Sequence, residues 1–139
     1  MLLYYLVHKR KVEPLSRNNW LYSTKALGFF RSKVAVKRAI DRYKQLMGFN
    51  RYPNGFKIFA YHCRTNRVKN IYFLQHEYYN ERFDCDIVTS LGVYLSKDDA
   101  QKGIEALIQS PKCTLSNYPE GFCIDKYKIN ELYWPYGFD

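Results

Sequence analysis

Three short blocks occur twice in this chain, in the same order. Y-Y-L-V-H at residues 4–8 is answered by Y-F-L-Q-H at 72–76, L-G-F-F-R-S-K at 27–33 by L-G-V-Y-L-S-K at 91–97, and Y-P-N-G-F-K-I at 52–58 by Y-P-E-G-F-C-I at 118–124. Tyr61 and Tyr127 extend the third match. The offsets are 68, 64 and 66 residues, which is the pattern of a duplicated unit with small differences in loop length. This constrains the fold strongly, because whatever one half forms the other must form too. Each half, at about 65 residues, is near the lower size limit for an independent core. The expected division is therefore residues 1–66 and 67–139, packed as one compact unit.

The halves differ in charge. Residues 1–69 hold 16 Lys and Arg against 2 Asp and Glu, a net +14, whereas residues 70–139 hold 6 against 11, a net −5. An apolar content of 47% excludes wholesale disorder, and fourteen Tyr and nine Phe supply large side chains for a small core. The opening M-L-L-Y-Y-L-V is apolar for only seven residues before His8-Lys9-Arg10-Lys11. That is too short to span a bilayer and lacks the leading charge of a signal peptide, so a buried first strand is expected. Cys63, Cys85, Cys113 and Cys123 form no C-x-x-C pair and occupy no matched positions. They are read as free thiols in a cytoplasmic protein, with neither a zinc site nor any other cofactor expected.

Each half shows the same succession of signals: strand, variable loop, short strand, helix, strand. The first strands are placed at Leu3 to Val7 and Ile71 to Gln75, the second at Ala26 to Arg31 and Leu91 to Leu95. Ser32 and Ser96 stand where N-caps belong, with Asp98 and Asp99 in the first turn of the second helix. The first helix carries a stripe of Val36, Ala39, Ile40, Tyr43, Leu46 and Met47, the second a stripe of Ala100, Ile104, Leu107 and Ile108. Gly48 and Pro111 are expected to stop the helices. In Y-P-x-G-F the Gly is expected to take a left-handed turn that delivers Phe56 or Phe122 into a closing strand. The fold class is thus α+β, with two tandem β-β-α-β repeats, antiparallel sheets each carrying one helix, and a pseudo-twofold arrangement.

The second half resembles a small bacterial domain family of unknown function. H-E-Y (76–78), L-G-V-Y-L-S-K-D-D-A (91–100), Y-P-E-G-F-C-I-D-K-Y (118–127) and W-P-Y-G-F (134–138) are similar to that family's His-x-Tyr, G-V-Y-S-S, Y-P-x-G-F and W-x-x-G-F blocks. The first half departs from it: His8 is followed by Lys-Arg-Lys, and the W-x-x-G-F closure is missing. The resemblance implies a fold, no catalytic residues, and a setting with an immunity-like or defence-related flavour.

His8 and His76 end equivalent strands, and their expected role is local hydrogen bonding; His76-Glu77 as an acid and base pair is the sharper alternative. Glu77, Glu81, Asp84 and Asp86 read as a solvated acidic loop and only secondarily as a metal site. No P-loop, G-x-S-x-G elbow or H-E-x-x-H occurs. The reading leans away from an enzyme, with an uncharacterised hydrolase as the weakest alternative, and no residue is assigned to catalysis or metal binding. The strongest functional signal is the basic half: Lys9, Arg10 and Lys11 after the first strand, Arg17, Lys25 and Arg31 nearby, and Lys33, Lys37, Arg38, Arg42 and Lys44 on the helix. Trp20, Tyr22 and Tyr52 are interleaved with Arg17, Lys25 and Arg51, where they suit base stacking. The leading expectation is a binding protein whose basic repeat docks an acidic partner, in an immunity or defence-type complex or by self-association. The alternative is a nucleic-acid-binding module using the basic helix. W-P-Y-G-F is expected to seal the core or the joint between the repeats.

Overall fold

The computed structural model describes residues 1–14, 20–110 and 113–139. Arg17 and Pro111 lie outside the described residues. The protein is α+β, with two antiparallel three-stranded sheets and two helices. The strands are β1 (Leu2–Pro14), β2 (Trp20–Phe30), β3 (Phe56–His62), β4 (Asn70–Asn80), β5 (Cys85–Tyr94) and β6 (Phe122–Lys128); the helices are α1 (Lys33–Tyr43) and α2 (Lys97–Gln109). The sheet orders are β2-β1-β3 and β5-β4-β6. No helix among the described residues is long and apolar enough to cross a membrane.

The chain divides into two units. Unit 1 comprises Met1–Arg67 together with Lys128–Asp139, and unit 2 comprises Val68–Tyr127. Sequence repeats and spatial units therefore part company at the C-terminus: the last twelve residues belong to the second repeat in sequence and group with the first in space.

In unit 1 the helix-facing core is Leu6, Leu27, Phe30, Val36, Ala39, Tyr43 and Phe49, all nearly or fully buried. Val36, Ala39 and Tyr43 recur at the spacing that places them on one helix face. Tyr5 lies across the strand pair from Phe29, stacked at 4.6 Å between ring centroids, with Tyr61 edge-on at 6.3 Å. Unit 2 has a smaller fully buried set of Ile71, Phe73, Leu74, His76 and Ala100, with Ile104 nearly so. Ser32 and Ser96 cap the helices as expected, their Oγ atoms accepting from Ala35 N and Asp99 N at 3.1 Å.

Four expectations need correction. The strands are far longer than their apolar blocks, because His8–Pro14 pairs with Trp20–Lys25 and His76–Asn80 with Cys85–Thr89. These "variable loops" are hairpin arms; their polar, aromatic-rich sequence reflects two solvated faces, and ladder hydrogen bonds hold them without an apolar pattern. Helix α1 ends at Tyr43 and does not reach Met47. Gln45 N and Leu46 N bond back to Arg42 O and Tyr43 O, three residues earlier, so the chain tightens and leaves Met47 O to accept from Phe138 N at 2.8 Å. Met47 is correspondingly exposed and lies outside the buried stripe, and Ile108 of α2 is also exposed. Finally, Gly55 and Gly121 are not left-handed; the positive-φ glycines are Gly28, Gly48, Gly92 and Gly137.

The last correction has a steric cause. A Cβ on Gly55 would stand 2.6 Å from His8 Nε2 and 2.5 Å from Lys9 O, and one on Gly121 would stand 2.6 Å from His76 Nε2 and 2.5 Å from Glu77 O. These glycines let a turn lie directly against a histidine. Gly28 and Gly92 meet a different demand. Each sits beside a β-bulge, at Leu6/Val7 in β1–β2 and at Leu74/Gln75 in β4–β5, with φ of +140° and +156°.

Candidate binding cleft

Two buried histidines organise the surface that the charge pattern singles out. His8 Nε2 donates to Tyr52 O at 2.9 Å, and His76 Nε2 donates to Tyr118 O at 2.8 Å. Both rings are fully buried, His8 edge-on to Phe49 and Phe56 and His76 edge-on to Phe122. Each Nδ1 is buried without a hydrogen-bond partner. Burial, with smaller contributions from Lys25 and Arg10, holds His8 below the usual histidine range despite the Tyr52 carbonyl. Glu77 is exposed while its strand neighbour His76 is buried; successive strand residues point to opposite faces, so the two do not act as a pair.

By holding the Tyr52 carbonyl, His8 fixes the rim of an open cleft of about 610 Å³. Its lining includes Lys9, Arg10, Lys11, Arg51 and Lys57, with Tyr22, Tyr52 and the Pro53–Gly55 turn, and among the described residues no carboxylate. Lys9 and Lys11 point to the same side of β1 and reach across to β2, Lys9 Nζ lying 5.1 Å from the Tyr22 ring and Lys11 Nζ 4.9 Å from Trp20. Arg10, on the opposite side of the strand, stands 5.3 Å from Tyr52 and 5.2 Å from Phe138. Trp20, Tyr22 and Tyr52 all remain substantially exposed.

The expected basic surface is thus two groups of residues. Lys9, Arg10 and Lys11 line the cleft, whereas Lys33, Lys37, Arg38 and Arg42 stand exposed on α1, Lys44 stands exposed at its C-cap, and none of them lines it. Arg51, expected beside the stacking tyrosines, joins from the turn before β3, and Lys57, absent from the expected set, joins from β3 itself. A cross-strand reading of His8 against Phe56 would have brought Lys57 in, since Val7 pairs with Lys57.

Lys25 was legible in the sequence as part of the basic half, but its partner was not. Its ammonium lies 4.0 Å from the Phe138 ring and 5.2 Å from Trp134, and bonds Ser23 Oγ at 3.2 Å. Burial and the nearby Arg10 lower its pKa. The C-terminal segment thereby carries Phe138 between Lys25 and Arg10 and onto the unit 1 core. W-P-Y-G-F thus seals the core of the first unit.

Unit 2 has a cleft in the matching place, about 400 Å³, lined by Glu77, Tyr78, Asn117, Tyr118, Pro119, Glu120 and Gly121. Its tyrosines stack on one another at 4.3 Å. Lys9 and Asn54 of the first cleft become Glu77 and Glu120 here, so its sign is reversed. In the acidic hairpin arm, Tyr79 donates its hydroxyl to Asp84, which raises the phenol pKa. Among the described residues no group of His, Cys, Asp and Glu is arranged to hold a metal ion. All four cysteines are free of disulfides and half-buried.

No curated protein and no solved structure is significantly similar to the chain. A domain family of unknown function, DUF7336, matches residues 69–138, which takes in β4, β5, α2, β6 and the C-terminal segment that closes unit 1. That match spans half of the sequence, and the chain therefore belongs to the DUF7336 family.

Proposed function

We propose that this is a non-enzymatic binding protein whose first unit holds a single strand of nucleic acid across the basic cleft. The observation that carries the reading is the lining itself: five cations and two exposed tyrosines around one opening, with no carboxylate among the described residues that line it. Phosphates suit Lys9, Lys11, Arg51 and Lys57, and planar bases suit the faces of Tyr22 and Tyr52. An acidic protein surface would satisfy the cations and leave the rings without use. The cations of α1 belong to the outer field that steers a polyanion inward.

The reversed sign of the unit 2 cleft supports a second reading, in which the basic cleft docks an acidic protein surface, either a second copy of this chain or a partner in an immunity or defence-type complex. The matched bulges, histidine clamps and helix caps support descent of the two units from one β-β-α-β unit. The thiols, free of disulfides, fit a reducing cytoplasm.

Fluorescence anisotropy with labelled single-stranded DNA and RNA oligonucleotides decides between the readings. The wild type is expected to bind at micromolar or tighter concentrations near physiological salt. Reversing Lys9 and Lys57 to Glu should weaken binding for all sequences and reduce the log–log salt slope by about 1.4, at roughly 0.7 per phosphate contact. Reversing Lys37 and Arg42 on α1 should have a smaller effect. Equal affinity for wild type and the Lys9/Lys57 variant overturns the cleft as the site; no binding even at low salt leaves the basic cleft to an acidic protein.

A further inference from the structure

The C-terminal strap, residues 129–139, covers a groove in unit 1, and the matching surface of unit 2 is left only half-buried by the described residues. In unit 1 the strap bonds along β2 and beyond α1: Asn130 N donates to Phe29 O at 2.8 Å, Tyr133 N to Leu27 O at 3.0 Å and Phe138 N to Met47 O at 2.8 Å. The Tyr43 hydroxyl bonds both Tyr133 O and Leu27 O. Under the strap Leu27, Tyr43 and Phe49 are fully buried. The matching residues of unit 2 are Leu91, Leu107 and Leu115, and all three are only half-buried.

The bulge glycines register the same difference at atomic scale. A Cβ on Gly28 would meet Glu131 O of the strap at 2.6 Å and Tyr133 Cδ2 at 3.4 Å. On Gly92 the same Cβ would meet, among the described residues, only the Tyr94 ring of its own strand, at 3.7 Å. The bulge, the glycine and the apolar floor are thus present in unit 2 without the segment that lies on them in unit 1.

We infer that the groove of unit 2 over Leu91, Gly92, Leu107 and Leu115 is a docking site for an aromatic strap of the same chemistry as residues 129–139, presented by another polypeptide. The occupant is set by the groove whose contents are visible: a backbone that pairs with the bulged strand and a Gly-Phe end that packs on the apolar floor. Among the described residues the one strap of this kind, 129–139, is already seated on unit 1. Two substitutions shape the preference. Leu107 replaces the Tyr43 hydroxyl and Thr89 replaces the Lys25 ammonium, so the unit 2 groove selects for apolar contact and lacks the cation that Phe138 meets in unit 1.

The test is titration of a synthetic peptide of residues 129–139 into the full-length protein, followed by amide chemical shifts and peptide anisotropy. One equivalent is expected to bind, with shifts at Gly92, Leu107 and Leu115 and none at Gly28 or Gly48. A peptide carrying Phe138→Ala, or the full-length Leu107→Arg variant, should bind at least tenfold more weakly. Because Leu107→Arg risks unfolding unit 2, the altered peptide keeps the test decisive by itself. Shifts confined to Gly28 and Gly48, meaning displacement of the resident strap, overturn the inference, as does the absence of any binding at millimolar peptide.

Discussion

His8 shows how one side chain couples the core to the cleft. Its ring fills space between Phe49 and Phe56 while Nε2 holds the turn that bears Tyr52. Burial disfavours the imidazolium, so the folded pKa lies below the ordinary value of 6.5. The unfolded chain therefore takes up a proton more readily as pH falls through 6.5, and acid destabilises the fold. Thermal unfolding followed by circular dichroism should give a melting temperature that drops between pH 7.5 and pH 5.5, with a shallower drop in His8→Gln. An unchanged pH slope in that variant would show that His8 does not carry the effect. The sequence places both histidines at strand ends, but it does not reveal that each reaches a carbonyl 42 to 44 residues away. That contact depends on the turn before the third strand of each unit folding back over the first.

The bulged hairpin is the element that the two units share most visibly and use most differently. Gly28 and Gly92 both need a positive φ, so replacing either with Ala strains the backbone, by about 1–2 kcal/mol. Gly28 alone also faces strap backbone at 2.6 Å. Gly28→Ala should therefore lose clearly more stability than Gly92→Ala in urea denaturation, and equal losses would mean that the strap yields without cost. Helix starts were legible because a serine cap is a local interaction. The end of α1 was not, since Leu46 and Met47 continue the apolar stripe in sequence, while the folded chain tightens just after Tyr43 and gives Met47 O to the strap. The hairpin arms escaped notice for a related reason: backbone pairing leaves no apolar signature when both faces are wet.

At the scale of the whole molecule, the strap ties the last residues of the sequence to the unit that the first residues build. A chain ending at residue 127 loses Phe138 from the core and the cover over Leu27, a loss of about 2–4 kcal/mol by analogy with large core truncations. Hydrogen exchange should then show β1, β2 and α1 losing protection while β4, β5 and α2 keep theirs. Loss confined to unit 2 would overturn the assignment of the strap to unit 1. The charge contrast, visible in sequence as +14 against −5, becomes local in the folded molecule as one cleft lined by cations and one by carboxylates at matching turns.

The sequence by itself determined the repeated blocks, the helix caps, the apolar stripes over most of their length and the uneven charge, because each depends on residue identity or on neighbours within a few positions. Only the tertiary structure decided which cations share a cleft, which glycines are left-handed and which unit the C-terminal aromatics close. Those outcomes depend on contacts between segments far apart in the chain. For the strap in particular, one segment follows two similar grooves, and Tyr43 and Lys25 supply in the first the hydroxyl and the cation that Leu107 and Thr89 do not supply in the second.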